Sequence, residues 1–163
     1  AQRIARAMNL PETLFQNITY ASLLHDSGLL GADQQDLSFH TLQQKKAELS
    51  LRFVQSLGLP KEVGDIVYHV NEAWNGQGFP DGLKGNKIPL GSRIIAVANA
   101  FATLLHRWEG EGRPSRTSTE KAMRIISRLG RRSYDPDVVN MLQQVIDNPV
   151  DDPSEGMTGW PPS

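Results

Sequence analysis

Apolar residues recur every three to four positions along most of the chain, which is the spacing of the buried face of an α-helix. Seven such segments are visible, at residues 4–10, 14–24, 42–57, 63–70, 92–108, 122–129 and 138–146. Two strand-like runs never stand side by side, and the sequence has no internal repeat. The pattern therefore predicts an all-α fold, a bundle of about seven helices.

Glycine, proline and capping residues mark where these helices begin and end. We expect the second helix to end at Gly28, and the third to span about 41 to 57 and end before Gly58. The fourth helix should start at Pro60. A capping box of Thr117 and Glu120 should start the sixth helix, and Asp135 should cap the seventh. We expect Leu49, Phe53 and Leu57 to face the core. The fifth segment, SRIIAVANAFATLLHRW, is apolar on so many sides that it should be the central helix.

Composition limits the function classes. With 163 residues, 39% of them hydrophobic, the chain has the size of one domain with a real core. Its net charge of −1 shows no basic surplus, so DNA and RNA are not expected partners. The absence of cysteine excludes disulfides and thiolate metal ligands. No apolar run suits a membrane helix and no signal peptide is recognisable, so we expect a cytoplasmic protein without membrane contact.

The two ends of the chain suggest a domain within a longer protein. The sequence begins without Met, in a stretch that already reads as the middle of a helix, so we expect a fragment whose first helix is truncated. Residues 1–149 are predicted to form the domain. Residues 150–163 contain Pro, Gly and acids with little to bury, and are predicted to be a flexible tail.

Two stretches carry candidate chemistry. His25 and Asp26 end an apolar helix, where a nitrogen and an oxygen ligand can turn toward one cation, although taken alone such a dipeptide is more often a chance pair with a capping Asp. The loop WNGQGFPDGLKGNKIP interrupts the helical pattern with repeated glycines and an aromatic residue. The cations Lys84, Lys87 and Arg93 lie in or near this loop and could meet a phosphate, or could be solvated surface charges.

The order and spacing of these stretches resemble a known family. HDSG, then an HxxE that ends an LGLP-led helix, then GQGFPDGLKGNKIPLGSRIIAVAN is similar to the HD-GYP family, a subgroup of the HD metal-dependent phosphohydrolases. The resemblance covers residues 1 to about 146. It implies a helical HD-type fold with a long glycine-rich loop and a place in bacterial cyclic di-GMP signalling, since members of the family hydrolyse that messenger. The name-giving Gly-Tyr-Pro is Gly78, Phe79 and Pro80 here.

The metal ligands of that family carry over only in part. His25 and Asp26 match the His-Asp pair. Other motif positions of the family fall on Leu29, Lys46, Val70, Asn71 and Asn99, and His69 stands one position too early to be assumed equivalent. Hydrolysis by a metal centre needs several anionic or imidazole ligands to hold cations and to lower the pKa of a bound water. We therefore expect a vestigial site, with His25 and Asp26 unoccupied and no cofactor; a metal, if present, would be iron or manganese.

The resemblance then implies a binding function. We expect a degenerate, catalytically inactive domain that recognises a GGDEF-type signalling protein, or else cyclic di-GMP, whose phosphate Lys46 could hold. The expected contact residues are Gly76, Gly78, Phe79, Pro80, Asp81, Gly82, Lys84, Lys87 and Arg93. Two alternatives stay open: an active phosphodiesterase with a reduced metal site of His25, Asp26 and His69, and a structural or homodimerisation module.

Two further sets of residues have weaker signals. His40, predicted to lie in a loop, and His106, near the end of the central helix, are expected to be structural or exposed. The cluster Arg124, Arg128, Arg131 and Arg132 on the sixth helix could dock an acidic partner, although a solvated helix face explains it as well.

Overall fold

The computed structural model describes residues 1–28, 38–109 and 115–148, and leaves the side chains of residues 39, 40, 109 and 131 undescribed. Across these ranges the chain forms seven α-helices and no β-strand, which confirms the predicted all-α fold. The helices are Gln2–Ala7 (α1), Glu12–Leu24 (α2), Phe39–Ser56 (α3), Lys61–Tyr68 (α4), Leu90–Glu109 (α5), Arg116–Ser133 (α6) and Pro136–Asp147 (α7). None of these helices is long and apolar enough to cross a membrane. Leu29 and residues 149–163 lie outside the described residues.

Side-chain caps set several of the helix starts. Asp135 caps α7 as predicted, because its Oδ1 accepts a hydrogen bond from the amide of Asp137 at 2.9 Å. The predicted start of α6 is wrong by two residues. Ser115 is the cap, and its hydroxyl accepts from the amide of Ser118 at 3.2 Å. Two other predictions are wrong. Helix α2 ends at Leu24 and not at Gly28, and His40 lies within α3 rather than in a loop.

The core lies where the first half of α5 meets its neighbours. Ile94, Ile95 and Val97 are almost fully buried, and α5 contacts α1, α2, α4, α6 and α7. The second half of α5 is different, since Trp108 is 41% exposed. The prediction of a central helix therefore holds for the amino-terminal half only, where the other helices cover it.

The buried face of α3 differs from the predicted one. Phe53 is 43% exposed and Leu57 is 51% exposed, while the small residues Ala47 and Ser50 are buried with Val54. The reason is close approach of the neighbouring backbone. A Cβ added to Gly28 would lie 2.3 Å from the carbonyl oxygen of Lys46. Apolar periodicity cannot show such a contact, because it favours large residues over small ones.

Candidate functional site

A buried carboxylate holds the glycine-rich loop, residues 76–89, in one shape. Glu72 follows the end of α4 and is only 5% exposed. Its Oε1 accepts the amide of Asp81 at 2.7 Å, and its Oε2 accepts the amide of Leu83 at 3.0 Å. Hydrogen bonds to a charged acceptor are about twice as strong as neutral ones. Glu72 thus fixes the middle of the loop.

Glycine is required at the start of the loop by two separate constraints. Gly76 has a φ of +83°, which side-chain-bearing residues rarely adopt. Gly78 lies so close to the preceding turn that an added Cβ would be 2.0 Å from the amide nitrogen of Ala73. The amide of Phe79 then donates to the carbonyl of Asn71 at 3.0 Å. The loop is therefore folded back tightly onto the end of α4.

Backbone hydrogen bonds attach the loop to the carboxyl end of α6. The amide of Trp74 donates to the carbonyl of Ser133 at 3.1 Å, and the amide of Asn75 donates to that of Arg132 at 3.0 Å. Asn75 also forms an antiparallel bridge with Lys84 across the loop. The two arms of the loop and the end of α6 consequently form one continuous surface.

Arg93 is an internal anchor of the loop. Its Nη1 donates to Asp135 Oδ2 at 2.6 Å and to Asn86 Oδ1 at 3.1 Å. The guanidinium also stacks over the ring of Trp74, 5.7 Å from the centroid. The Arg93 side chain is 15% exposed and that of Asp135 only 3%. The contacts that the structure gives Arg93 are thus within the domain, and they join the loop to the start of α7.

The remaining predicted contact residues lie at the surface of this loop. Asp81, Gly82, Lys84 and Lys87 are exposed, while Phe79 and Pro80 are half-buried. The structure therefore brings these predicted residues together on one rigid turn, with charged side chains outside and the aromatic ring partly covered.

His69 also contributes to the position of the loop. Its Nδ1 lies 2.8 Å from the carbonyl oxygen of Asp65, and its Nε2 lies 3.1 Å from Asp81 Oδ2. Both partners are acceptors, so both contacts are hydrogen bonds when both ring nitrogens carry a proton. Both nitrogens therefore face protein acceptors, and a neutral ring donates to one of the two, depending on its tautomer. His69 fits the role of a loop clamp better than that of a ligand.

His25 is the other candidate histidine whose ring nitrogens could bind a metal ion. Its Nδ1 is 3.0 Å from the carbonyl oxygen of Ser22, so in the neutral tautomer that donates from Nδ1 the ring keeps a lone pair on Nε2. Nε2 is buried and has no hydrogen-bond partner among the described residues, although Asp26 Oδ2 is 3.2 Å away. A lone pair beside an exposed carboxylate is suitable for binding a cation.

The segment that carries His25 is held against α3 near Lys46. The amide of Gly28 donates to the hydroxyl of Ser50 at 2.8 Å, and that hydroxyl donates to the carbonyl of His25 at 3.2 Å. The close approach of Gly28 to the Lys46 carbonyl belongs to the same contact. His25, Asp26 and the backbone of Lys46 therefore belong to one neighbourhood.

The other candidate positions share a cavity of about 280 Å³ between the end of α4, the middle of α5 and the end of α6. Val70, Asn71 and Asn99 line it together with Ser133 and Tyr134. Burial raises the pKa of the Tyr134 phenol, so this wall remains neutral at physiological pH. The cavity is thus lined by small apolar, amide and hydroxyl groups, and by the buried Glu72.

Comparison with known proteins identifies the fold family. A family model described as HD domain matches residues 1–138, most of the chain. The chain belongs to the HD domain family. This HD domain is 31% identical over 150 residues to a cyclic di-GMP phosphodiesterase of Thermotoga maritima, covering 84% of the chain and 39% of the relative. It is 36% identical over 79 residues to a cyclic di-GMP phosphodiesterase response regulator of Xanthomonas campestris, covering 47% of the chain and 20% of that protein.

A solved structure confirms the HD-type arrangement of helices. The crystal structure of a cyclic GMP-AMP specific phosphodiesterase of Vibrio cholerae superposes with a TM-score of 0.77 at 22% identity, over 99% of this chain and 47% of that one. At this identity the likeness concerns the fold alone. The HD domain spans less than half the length of each of these three proteins.

The donor groups decide whether this HD domain fits the metal centre that the family resemblance implies. His25 Nε2 and Asp26 are suitable ligands. Val70 offers no lone pair, and Asn71 and Asn99 offer only neutral amide oxygens. Within the described ranges, no group of three or more His, Asp or Glu side chains is placed to hold one ion. The described residues therefore do not fit a centre with several metals.

Three functional contacts escaped the sequence reasoning. The carboxylate of Glu72, the Arg93–Asp135 pair and the His69–Asp81 contact all join residues nine or more positions apart. One partial signal for Glu72 is present in the sequence, since an acid between a helix end and a glycine-rich loop can accept hydrogen bonds from loop amides. The sequence contains no such signal for Arg93 and Asp135, which are 42 positions apart.

Proposed function

We propose that this HD domain acts by binding a signalling partner through its glycine-rich loop, and that it does not hydrolyse a cyclic dinucleotide. The observation that carries the proposal is the contrast between two sets of neighbouring positions. Glu72, Gly78 and Arg93 hold the loop by specific buried contacts. Val70 and Asn71, which immediately precede Glu72, cannot act as strong metal ligands.

A rigid recognition loop favours binding in a direct physical way. A loop that is already ordered loses little conformational entropy when it meets a partner. Its exposed residues Asp81, Lys84 and Lys87 supply charges for specificity, and Phe79 supplies a partly covered ring. The resemblance to the HD-GYP family implies a GGDEF domain as the partner.

The decisive experiment measures three properties of the same purified protein: metal content, cyclic di-GMP hydrolysis, and affinity for a GGDEF domain. We expect no metal, no hydrolysis and measurable affinity. The loop variant is Gly78→Ala, and the matched control is Gly130→Ala in α6, where an added Cβ has no neighbour closer than 3.9 Å. Affinity should fall in the first variant and persist in the second. Equal affinity of both folded variants would exclude the loop as the contact surface.

A second candidate is a phosphodiesterase with a reduced metal site, and the buried lone pair on His25 Nε2 favours it. The relatives from Thermotoga and Xanthomonas are named cyclic di-GMP phosphodiesterases, which adds support. Iron or manganese at near one ion per chain, lost in His25→Ala together with hydrolysis, would establish this candidate. His69→Ala should leave the metal in place, because His69 contacts Asp65 and the loop residue Asp81 rather than His25 or Asp26.

A further inference from the structure

The cations of the glycine-rich loop and those of α6 are far apart in sequence but adjacent in the fold. Arg132 ends the exposed face of α6, and its carbonyl accepts the amide of Asn75. Asn75 is bridged to Lys84. Lys84 is therefore the next cation after Arg132 along one surface. We define the basic strip by its five exposed residues, Lys121, Arg124, Arg128, Arg132 and Lys84.

The basic strip carries uncompensated charge. Its four α6 residues recur at intervals of three and four, so they lie on one face of the helix over about 16 Å. Like charges at this spacing destabilise a helix. No member of the basic strip forms an ion pair with a described residue. Among the described residues of α6, Glu120 pairs with Arg116, which is not part of the basic strip. An acidic partner would remove this repulsion.

The surroundings of the basic strip suit a protein better than a polyphosphate. A groove of about 670 Å³ between α6 and α7 runs beside it, and Glu120 and Asp147 line this groove together with Arg124. These acids would repel a continuous phosphate backbone but can pair with cations of a protein partner. Leu129, 44% exposed on the same helix, adds an apolar contact. The overall net charge of −1 also argues against nucleic acid.

We infer that the basic strip docks an acidic helical segment of a partner protein, with the glycine-rich loop at one end of the same interface. This inference rests on the proposed binding function and specifies the chemistry of the partner. Arginine predominates in the basic strip, and its guanidinium binds carboxylates through two parallel hydrogen bonds. The expected partner surface therefore carries Glu or Asp at helical spacing with an apolar residue beside them.

The test uses the full chain and a fluorescein-labelled helical peptide of about 16 residues, long enough at 1.5 Å per residue to cover the basic strip. The peptide carries Glu at i, i+4 spacing and one Leu. We expect binding by fluorescence anisotropy, weakened by added salt. The triple variant Arg124→Gln, Arg128→Gln, Arg132→Gln removes three exposed cations of α6 and leaves the loop unchanged, so it should bind the peptide about tenfold more weakly.

The control variant is Lys45→Gln, Arg52→Gln, which removes two exposed cations from α3. It should bind the peptide as the parent does, and equal melting temperatures would show that every variant is folded. The inference is overturned if the peptide does not bind, if the control loses as much affinity as the triple variant, or if duplex RNA or anionic vesicles bind more tightly than the peptide.

Affinity of the triple variant for the GGDEF domain separates the two proposals. If that affinity stays at the parent value while peptide binding falls, the loop function stands without the basic strip.

Discussion

The glycine-rich loop and the positions just before it occupy adjacent parts of the chain but have opposite chemistry. Around the loop, the buried carboxylates of Glu72 and Asp135 accept hydrogen bonds from loop amides and from Arg93, respectively. At the neighbouring cavity, Asn71 and Asn99 are exposed and Val70 presents only methyl groups. The first region is built to hold one shape. The second region has a cavity, but Val70, Asn71 and Asn99 supply no strong metal ligand to it.

This difference shows that the shape of the loop and a metal centre depend on different residues. A metal centre depends on a few ligands whose replacement removes function at once. The shape of the loop depends on a distributed set of backbone contacts, glycines and one buried ion pair, which are independent of those ligands. We therefore propose that binding can be separated from hydrolysis in this domain, and the following experiments test that proposal.

Restoring the ligands should give the largest change. The variant Lys46→His, Val70→His, Asn71→His, Asn99→Asp supplies three imidazoles and a carboxylate at the positions where the family resemblance implies ligands that accompany His25 and Asp26. We expect iron or manganese to be taken up at one ion per chain or more, measured by atomic absorption on protein purified with metal. Circular dichroism must show an intact fold, because Val70 is only 6% exposed. A folded variant without metal would show that the positions no longer converge.

Removing Arg93 should destabilise the domain strongly. Arg93→Met keeps the volume but leaves the buried Asp135 carboxylate without its partner, at a cost of about 3 to 5 kcal/mol in the free energy of unfolding. Urea denaturation measures this cost. Lys61→Met is the control, since its pair with Asp65 is exposed and screened by solvent, so the free energy of unfolding should change little. Equal small losses in both would mean that Asp135 is solvated.

Gly78→Ala should cost about 3 kcal/mol or displace the loop, because the new Cβ would be 2.0 Å from the Ala73 nitrogen and 2.5 Å from the Glu72 backbone. The matched change Gly130→Ala lies in a helix and should be neutral or stabilising. Urea denaturation of both variants gives the comparison. A neutral Gly78→Ala would contradict the tight turn.

Glu72→Gln should have a smaller effect of about 2 kcal/mol, since one amide oxygen cannot replace two charged ones. The specific signature is local. Hydrogen exchange of the Asp81 and Leu83 amides should accelerate far more than exchange in α7. Uniform acceleration would instead indicate a general loss of stability and would remove Glu72 from its role as a loop anchor.

The smallest effect concerns Tyr134 at the cavity. Burial raises its pKa above that of an unfolded tyrosine, about 10. The folded state then retains the proton longer, so stability is constant below pH 10 and falls as pH rises through the folded pKa. Burial also raises the pKa of Tyr68. Ultraviolet difference titration should therefore show two phenols ionising late, and Tyr134→Phe should remove one of them. No change in this variant would place the phenol in solvent.

The sequence alone predicted much of the fold and the position of the candidate site. The apolar period of 3.6 residues identified all seven helices, because the buried face of each must be apolar along its length. The caps at Gly58 and Asp135 were also correct, since their signal is local. The HD family followed from motif order, which needs no coordinates. The interpretation of Val70, Asn71 and Asn99 as altered ligand positions stays a prediction.

Only the tertiary structure decided which polar groups hold the loop. Arg93 and Lys84 look alike in sequence, as cations near glycines, yet one is buried against Asp135 and the other is exposed on the basic strip. The same holds for α3, where small residues rather than Phe53 and Leu57 face the core. The physical reason is that a side chain's partners are set by the packing of distant segments, and periodicity along one helix carries no information about them.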